Sequence, residues 1–406
     1  MSLRAVGLGL LLIVPRSGDL VAQQPPPSRQ VLPVLDFPEP GLDDSASYQG
    51  YQTRFYRDSK QNTVQVYLEP KGGRVVTLWA DGADESAGFT VRDAAGRAPR
   101  LTWGAPAAAV GDSVAERSIE YRLQADASHI ELGGFLLGTM RVERDYQYAK
   151  RHLQPLSLPP FRVAEESLLV ADIDRLPGPE RTRHLALLGA GDVAMLRSRL
   201  GPGVTSRCSD DHCSVRVERP SLDGRNRLVL ELGVDPRRTK VEVHGENVTI
   251  RTRPGSPIAV AVKVTTDAAP LTPLPRAEIF NSSFLTFLAE AAAATDHAGR
   301  IRHRRMERQV RGVELLSSKE KLMAGLPNFA TYFGRDMMMT ALMMRPIWTP
   351  GMSEHVIASV LRKLGPQGDV SHEEALGGQA IRENAVVYDS LVTGYFRAAR
   401  AGRQQK

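Results

Sequence analysis

Thr63-Val64-Gln65-Val66-Tyr67-Leu68 alternates polar and apolar residues, Lys71-Gly72-Gly73 turns the chain, and Arg74-Val75-Val76-Thr77-Leu78-Trp79 runs back. Successive side chains of a strand point to opposite faces, so a period of two around a Gly-Gly turn predicts a hairpin. The pattern recurs outward from it. Phe89-Thr90-Val91-Arg92 precedes a turn at Ala94-Ala95-Gly96, and Ser118 to Leu123 and His129 to Leu132 alternate again. Arg227 to Leu232, Lys240 to His244 and Ile258 to Val262 follow. Many short strands with frequent turns predict a β-sandwich over residues 46–266, each strand burying one face. Trp79 and Trp103 are expected to fill its core rather than to stack on sugar rings. Asp81, Asp84 and Glu85 are expected to form a solvated acidic turn, with a cation site as the alternative.

The pattern changes after Thr266. Asp267 to Pro275 holds three prolines, which predicts a linker over 267–278. Phe280, Phe284, Phe287, Leu288 and Ala291 then recur at helical spacing, capped by Asn281 or Ser282 and ended near Gly299. Arg300 to Arg311 reads as the charged face of a helix. Lys319 to Met323 carries helix formers, Asp336 to Met344 reads as a buried Met-rich helix, and Glu354 to Leu364 places Val356, Val360 and Leu364 on one stripe.

Composition bounds the alternatives. With 42% hydrophobic and 24% charged residues among 406, wholesale disorder is excluded. A net charge of +6 does not argue for nucleic acid at this length. Arg4 followed by the apolar run Ala5 to Val14 fits an export signal over residues 1–24, a run too short to span a bilayer. The Pro- and Gln-rich stretch 25–45 reads as a tether. The two cysteines, Cys208 and Cys213, flank the turn-prone Ser209-Asp210-Asp211-His212. A disulfide across a hairpin is expected and suits export; a metal site and free thiols are the alternatives. Asn247 and Asn281 begin glycosylation sequons.

Two stretches carry chemistry. Ala324-Gly325-Leu326-Pro327-Asn328-Phe329-Ala330-Thr331-Tyr332-Phe333-Gly334-Arg335-Asp336 is an aromatic loop ending in Gly-Arg-Asp at a helix start. Aromatic rings cover the apolar face of a pyranose, and Arg and Asp make charge-assisted hydrogen bonds to hydroxyls. The alternative for Asp336 is a helix N-cap. Gly368-Asp369-Val370-Ser371-His372-Glu373-Glu374 sets paired carboxylates beside a His, suited to acid–base work or substrate holding. It is not the zinc motif H-E-x-x-H, because position 376 is Leu.

Together these blocks, within about residues 320–384, resemble the amylo-alpha-1,6-glucosidase (glycogen debranching) group of six-hairpin glycoside hydrolases. The resemblance implies an N-terminal sandwich followed by an (α/α)6 toroid. Residues 279–406 would hold only its first part, so the chain reads as a truncated form. It implies hydrolysis of glucosidic bonds, α-linked by expectation, in an oligo- or polysaccharide, with two carboxylates and no cofactor or metal. Phe329, Tyr332, Phe333, Arg335, Asp336, His372 and Glu373 would bind the terminal sugar. Asp389 and Glu374 are the candidate catalytic carboxylates, and no base further downstream is present. The alternative is a non-catalytic, exported carbohydrate-binding protein.

Overall fold

The computed structural model describes residues 28–81, 85–105, 108–113, 115–139, 146–149, 152–155, 164–199, 203–220, 225–325, 332–370, 373–374 and 377–402. The segment read as an export signal lies outside them. A β-rich N-terminal region is followed by helices. Among the described residues, two eight-stranded antiparallel sheets make up most of the first region. One is centred on Arg117–Ala125 and Ile258–Thr266, the other on Glu85–Asp93, Arg74–Ala80 and Thr63–Glu69.

The sheets face each other across one apolar core. Val64, Val66, Val75 and Trp79 of one meet Ile119, Tyr121, Val262 and Leu230 of the other. Thr77 Oγ1 lies 2.7 Å from the Tyr121 hydroxyl, a hydrogen bond from sheet to sheet. The predicted hairpin pairs Thr63 with Ala80 and Glu69 with Arg74. Its turn is set by Glu69, whose carboxylate accepts from Lys71 N at 2.7 Å and Gly72 N at 2.6 Å. Gly73 has φ +58°, and a Cβ there would stand 2.3 Å from Val91 O, so only glycine fits.

Arg74–Ala80 is buried along its whole length. Val75 and Trp79 enter the core between the sheets, while Val76, Leu78 and Ala80 pack under Met323 and Leu316 of the helical region. A strand covered on both faces loses the need for polar residues on one of them. Polar groups stitch the same seam. Thr63 Oγ1 donates to Leu315 O at 2.6 Å and Arg57 Nη2 to Glu314 O at 2.8 Å. Those carbonyls belong to the last turn of helix His297–Leu316, where the regular i+4 donors run out and the Ser317 N–H caps Glu314 O.

Several expectations are corrected. Residues 164–199, read as strand and turn, form the helices Ala164–Arg175, Gly178–Leu187 and Val193–Ser198 around Leu169, Ile173, Leu185 and Leu196. Within the stretch read as a tether, residues 29–43 are built into the fold. Arg29–Gln30 pairs in one sheet and Leu35–Phe37 in the other. Beyond it, Glu39 pairs with Arg304 at 2.7 Å and Asp43 with Arg308 at 2.8 Å, strapping the arm to the basic helix. Pro-rich composition suggested a spacer, but ion pairs and sheet edges hold it.

The helix after the linker runs Ser282–Ala292, with Asn281 accepting from Phe284 N at 2.9 Å. Gly299 does not end it; it lies in the next helix, capped by Asp296. Lys319 to Met323 is not helical, because Ser317–Leu322 and Pro273–Ser318 pair as bridges. The Met-rich helix, Gly334–Met344, is not enclosed: Met337 is buried, but Met339 and Met343 are 53% and 75% exposed. The third helix is Pro350–Leu361, and Leu364 lies beyond its end and exposed. Among the described residues, no helix is long and apolar enough to cross a membrane.

Candidate functional site

The two chemistry-bearing stretches meet. Tyr332–Phe333 and Glu373–Glu374 form a two-stranded antiparallel ladder, with Tyr332 opposite Glu374 and Phe333 opposite Glu373. The first strand runs directly into helix Gly334–Met344. Arg335 and Asp336 therefore leave the ladder as the second and third residues of that helix. Asp336 is not an N-cap; it sits inside the first turn, where a negative side chain suits the helix dipole. Arg335 Nε donates to Asp336 Oδ1 at 3.0 Å, and the two side chains are 70% and 48% exposed. This is a solvent-facing pair of donor and acceptor, available to a polar ligand.

Asp336 also lines a cavity of about 430 Å³. Its walls include Leu322, Met323, Met337, Thr340 and Trp348. Cavities of this size with few polar groups are the usual form of small-ligand sites. The backbone at Trp348 is held by Asn281, whose Nδ2 donates to Pro346 O at 2.9 Å and to Trp348 O at 3.3 Å. That capping amide is thus committed to the fold at the sequon position.

Of the remaining site residues, Phe329 and His372 lie outside the described residues. Asp389 lies in helix Gly377–Arg400 and faces the 164–175 helix, with its Oδ1 3.8 Å from Arg175 Nη2. Asp172 is its carboxyl neighbour there. Cys208 and Cys213 are opposite each other in the Gly203–Cys208/Cys213–Pro220 hairpin and joined by a disulfide. Among the described residues no group of three or more His, Cys, Asp or Glu is arranged to hold a metal ion.

One charged cluster escaped the sequence reading. Asp81 and Glu85 do not form a solvated turn; with Asp58 and Arg117 they are buried, and Asp84 lies outside the described residues. Asp58 Oδ2 accepts from Arg117 Nη1 at 2.5 Å and from Trp79 Nε1 at 2.8 Å. Arg117 Nη2 reaches Asp81 at 3.0 Å and also donates to Ala268 O in the linker. Glu85 hydrogen-bonds Thr266. Burial and then the Asp81 charge push the Glu85 carboxyl up to about 8. Trp79, 1% exposed and bonded here, is no sugar platform. The cluster pins the linker to the sheets; it is closed to solvent and is not a substrate site. Alternation in Trp79-Ala80-Asp81 offered only a weak signal for it, because burial on both faces comes from the helices.

No protein-family model and no curated protein matches this chain.

Proposed function

We propose that the chain is carbohydrate-active, of the glycoside hydrolase class that acts on glucosidic bonds of oligo- or polysaccharides. In this reading its helices belong to an (α/α)6 toroid of the debranching group, and the protein is exported. The observation that carries it is the Tyr332–Phe333/Glu373–Glu374 ladder. It joins the two blocks expected to bind sugar and leads into the helix whose Asp336 lines a ligand-sized cavity, with Arg335 hydrogen-bonded to Asp336. Arg335 would donate to sugar hydroxyls and Asp336 would accept from them.

A second reading is supported by a separate observation. Asp389, the candidate acid, is engaged with Asp172 and Arg175. That favours a carbohydrate-binding protein without hydrolysis. Incubation with a panel of α-linked gluco-oligosaccharides, read by sugar release and by calorimetric binding, separates the two. Release supports the hydrolase, and binding without release supports the second reading. Neither binding nor release removes both.

A further inference from the structure

Helix Ala164–Arg175 packs against helix Gly377–Arg400. Two carboxyl groups oppose each other where they meet. Asp172 is 1% exposed. Its Oδ1 accepts from Arg175 Nη2, while its Oδ2 is buried without any hydrogen-bond donor. The Asp389 carboxyl, on the other helix, lies within hydrogen-bonding reach of Asp172. One guanidinium serves both, since Arg175 Nη2 is also 3.8 Å from Asp389 Oδ1.

Two ionised carboxylates here would leave one negative charge in excess and one buried oxygen without a donor, each costly in a poorly solvated place. A single proton removes both defects. It supplies the missing donor between the carboxyls and balances the charge of Arg175. We propose that Asp172 and Asp389 form a shared-proton site whose proton docks the 164–199 helices onto the C-terminal helix.

The surroundings agree. Burial, then the Asp389 charge, hold the Asp172 carboxyl above its ordinary range, against the pull of Arg175. Beside the pair, the Tyr388 hydroxyl lies 2.7 Å from His184 Nδ1. The Tyr388 hydroxyl is itself pushed up by burial and by the Asp172 charge. Arg181 and Arg197 turn to Asp174, at 3.6 and 3.4 Å, and not to the pair. Asp389 is 34% exposed, so the site exchanges its proton with solvent. Because the docked state favours the protonated pair, docking is strongest at low pH. It weakens as pH rises through the pair's own value.

The test labels aspartate carboxyls with carbon-13 in the full chain and titrates wild type, Asp172→Asn and Asp389→Asn. A wild-type resonance should titrate at least about one pH unit above an ordinary aspartate. It should vanish in both variants. Amide-exchange protection of residues 164–199 should fall with rising pH in wild type and stay level in Asp389→Asn, whose amide can donate at any pH. If Asp172→Asn does not fold, the half-exposed Asp389→Asn carries the test. The proposal is overturned if Asp389→Asn removes no elevated resonance, or if its protection falls with pH as in wild type. Neither readout depends on carbohydrate activity.

Discussion

Phe333 and Glu373 are register partners in an antiparallel ladder, although forty residues separate them in the chain. The pairing sets Tyr332–Phe333 beside Glu373–Glu374, directly before helix Gly334–Met344. Arg335 and Asp336 are solvent-exposed in the first turn of that helix, and Asp336 lines a cavity.

Arg335→Ala and Asp336→Ala should each weaken glycan binding about tenfold or more, the loss of one charge-assisted hydrogen bond. Both side chains are largely solvent-facing, so unfolding free energy should change by less than about 0.5 kcal/mol. Calorimetric titration beside chemical denaturation checks both halves. Unchanged affinity in both variants would remove these residues from the site.

Gly73→Ala should destabilise the two-sheet region by about 1–3 kcal/mol, because a left-handed backbone and the Val91 carbonyl both exclude a Cβ. Urea denaturation followed by tryptophan fluorescence reads the loss, since Trp79 lies in the core. A neutral result would mean that the turn relaxes without cost.

Arg117→Ala should cost about 3–5 kcal/mol, the usual effect of removing one partner from a buried ion pair. It strands the carboxylates of Asp58 and Asp81 and frees the linker carbonyl of Ala268. Limited proteolysis should then cut within 267–275 faster than in wild type. Equal cutting rates would show that the linker is held by its other contacts, such as Leu271 N to Asn62 Oδ1 at 2.7 Å.

Glu85 predicts a pH dependence. Its folded value lies at about 8, above the ordinary 4.5, so the fold favours its protonated form. The stability it contributes is complete below the ordinary value and is lost as pH rises through the folded one, on the order of a few kcal/mol. Glu85→Gln, neutral throughout, should lose this slope and exceed wild type in stability at alkaline pH. Denaturation curves below, within and above that window decide it; parallel slopes for the two proteins would refute the assignment.

What the sequence determined by itself was local. Alternation along Thr63 to Leu68 and Arg74 to Trp79 with a Gly-Gly turn specified a hairpin, and Asn281-Ser282 before a 3.6-residue apolar stripe specified a helix start, with Asn281 as the cap in the structure. Period and turn chemistry act between near neighbours, so one segment carries them. The 164–175 helix was legible in principle from Leu169, Ile173 and Leu176, but the surrounding strand pattern masked it. Tertiary structure alone decided which strand is buried on both faces, that Asp81 and Glu85 are enclosed, and that a Pro-rich arm is strapped down by Arg304 and Arg308. It also decided the meetings of Phe333 with Glu373 and of Asp172 with Asp389. Burial and charge balance depend on groups brought from distant parts of the chain, and no local pattern encodes which groups those will be.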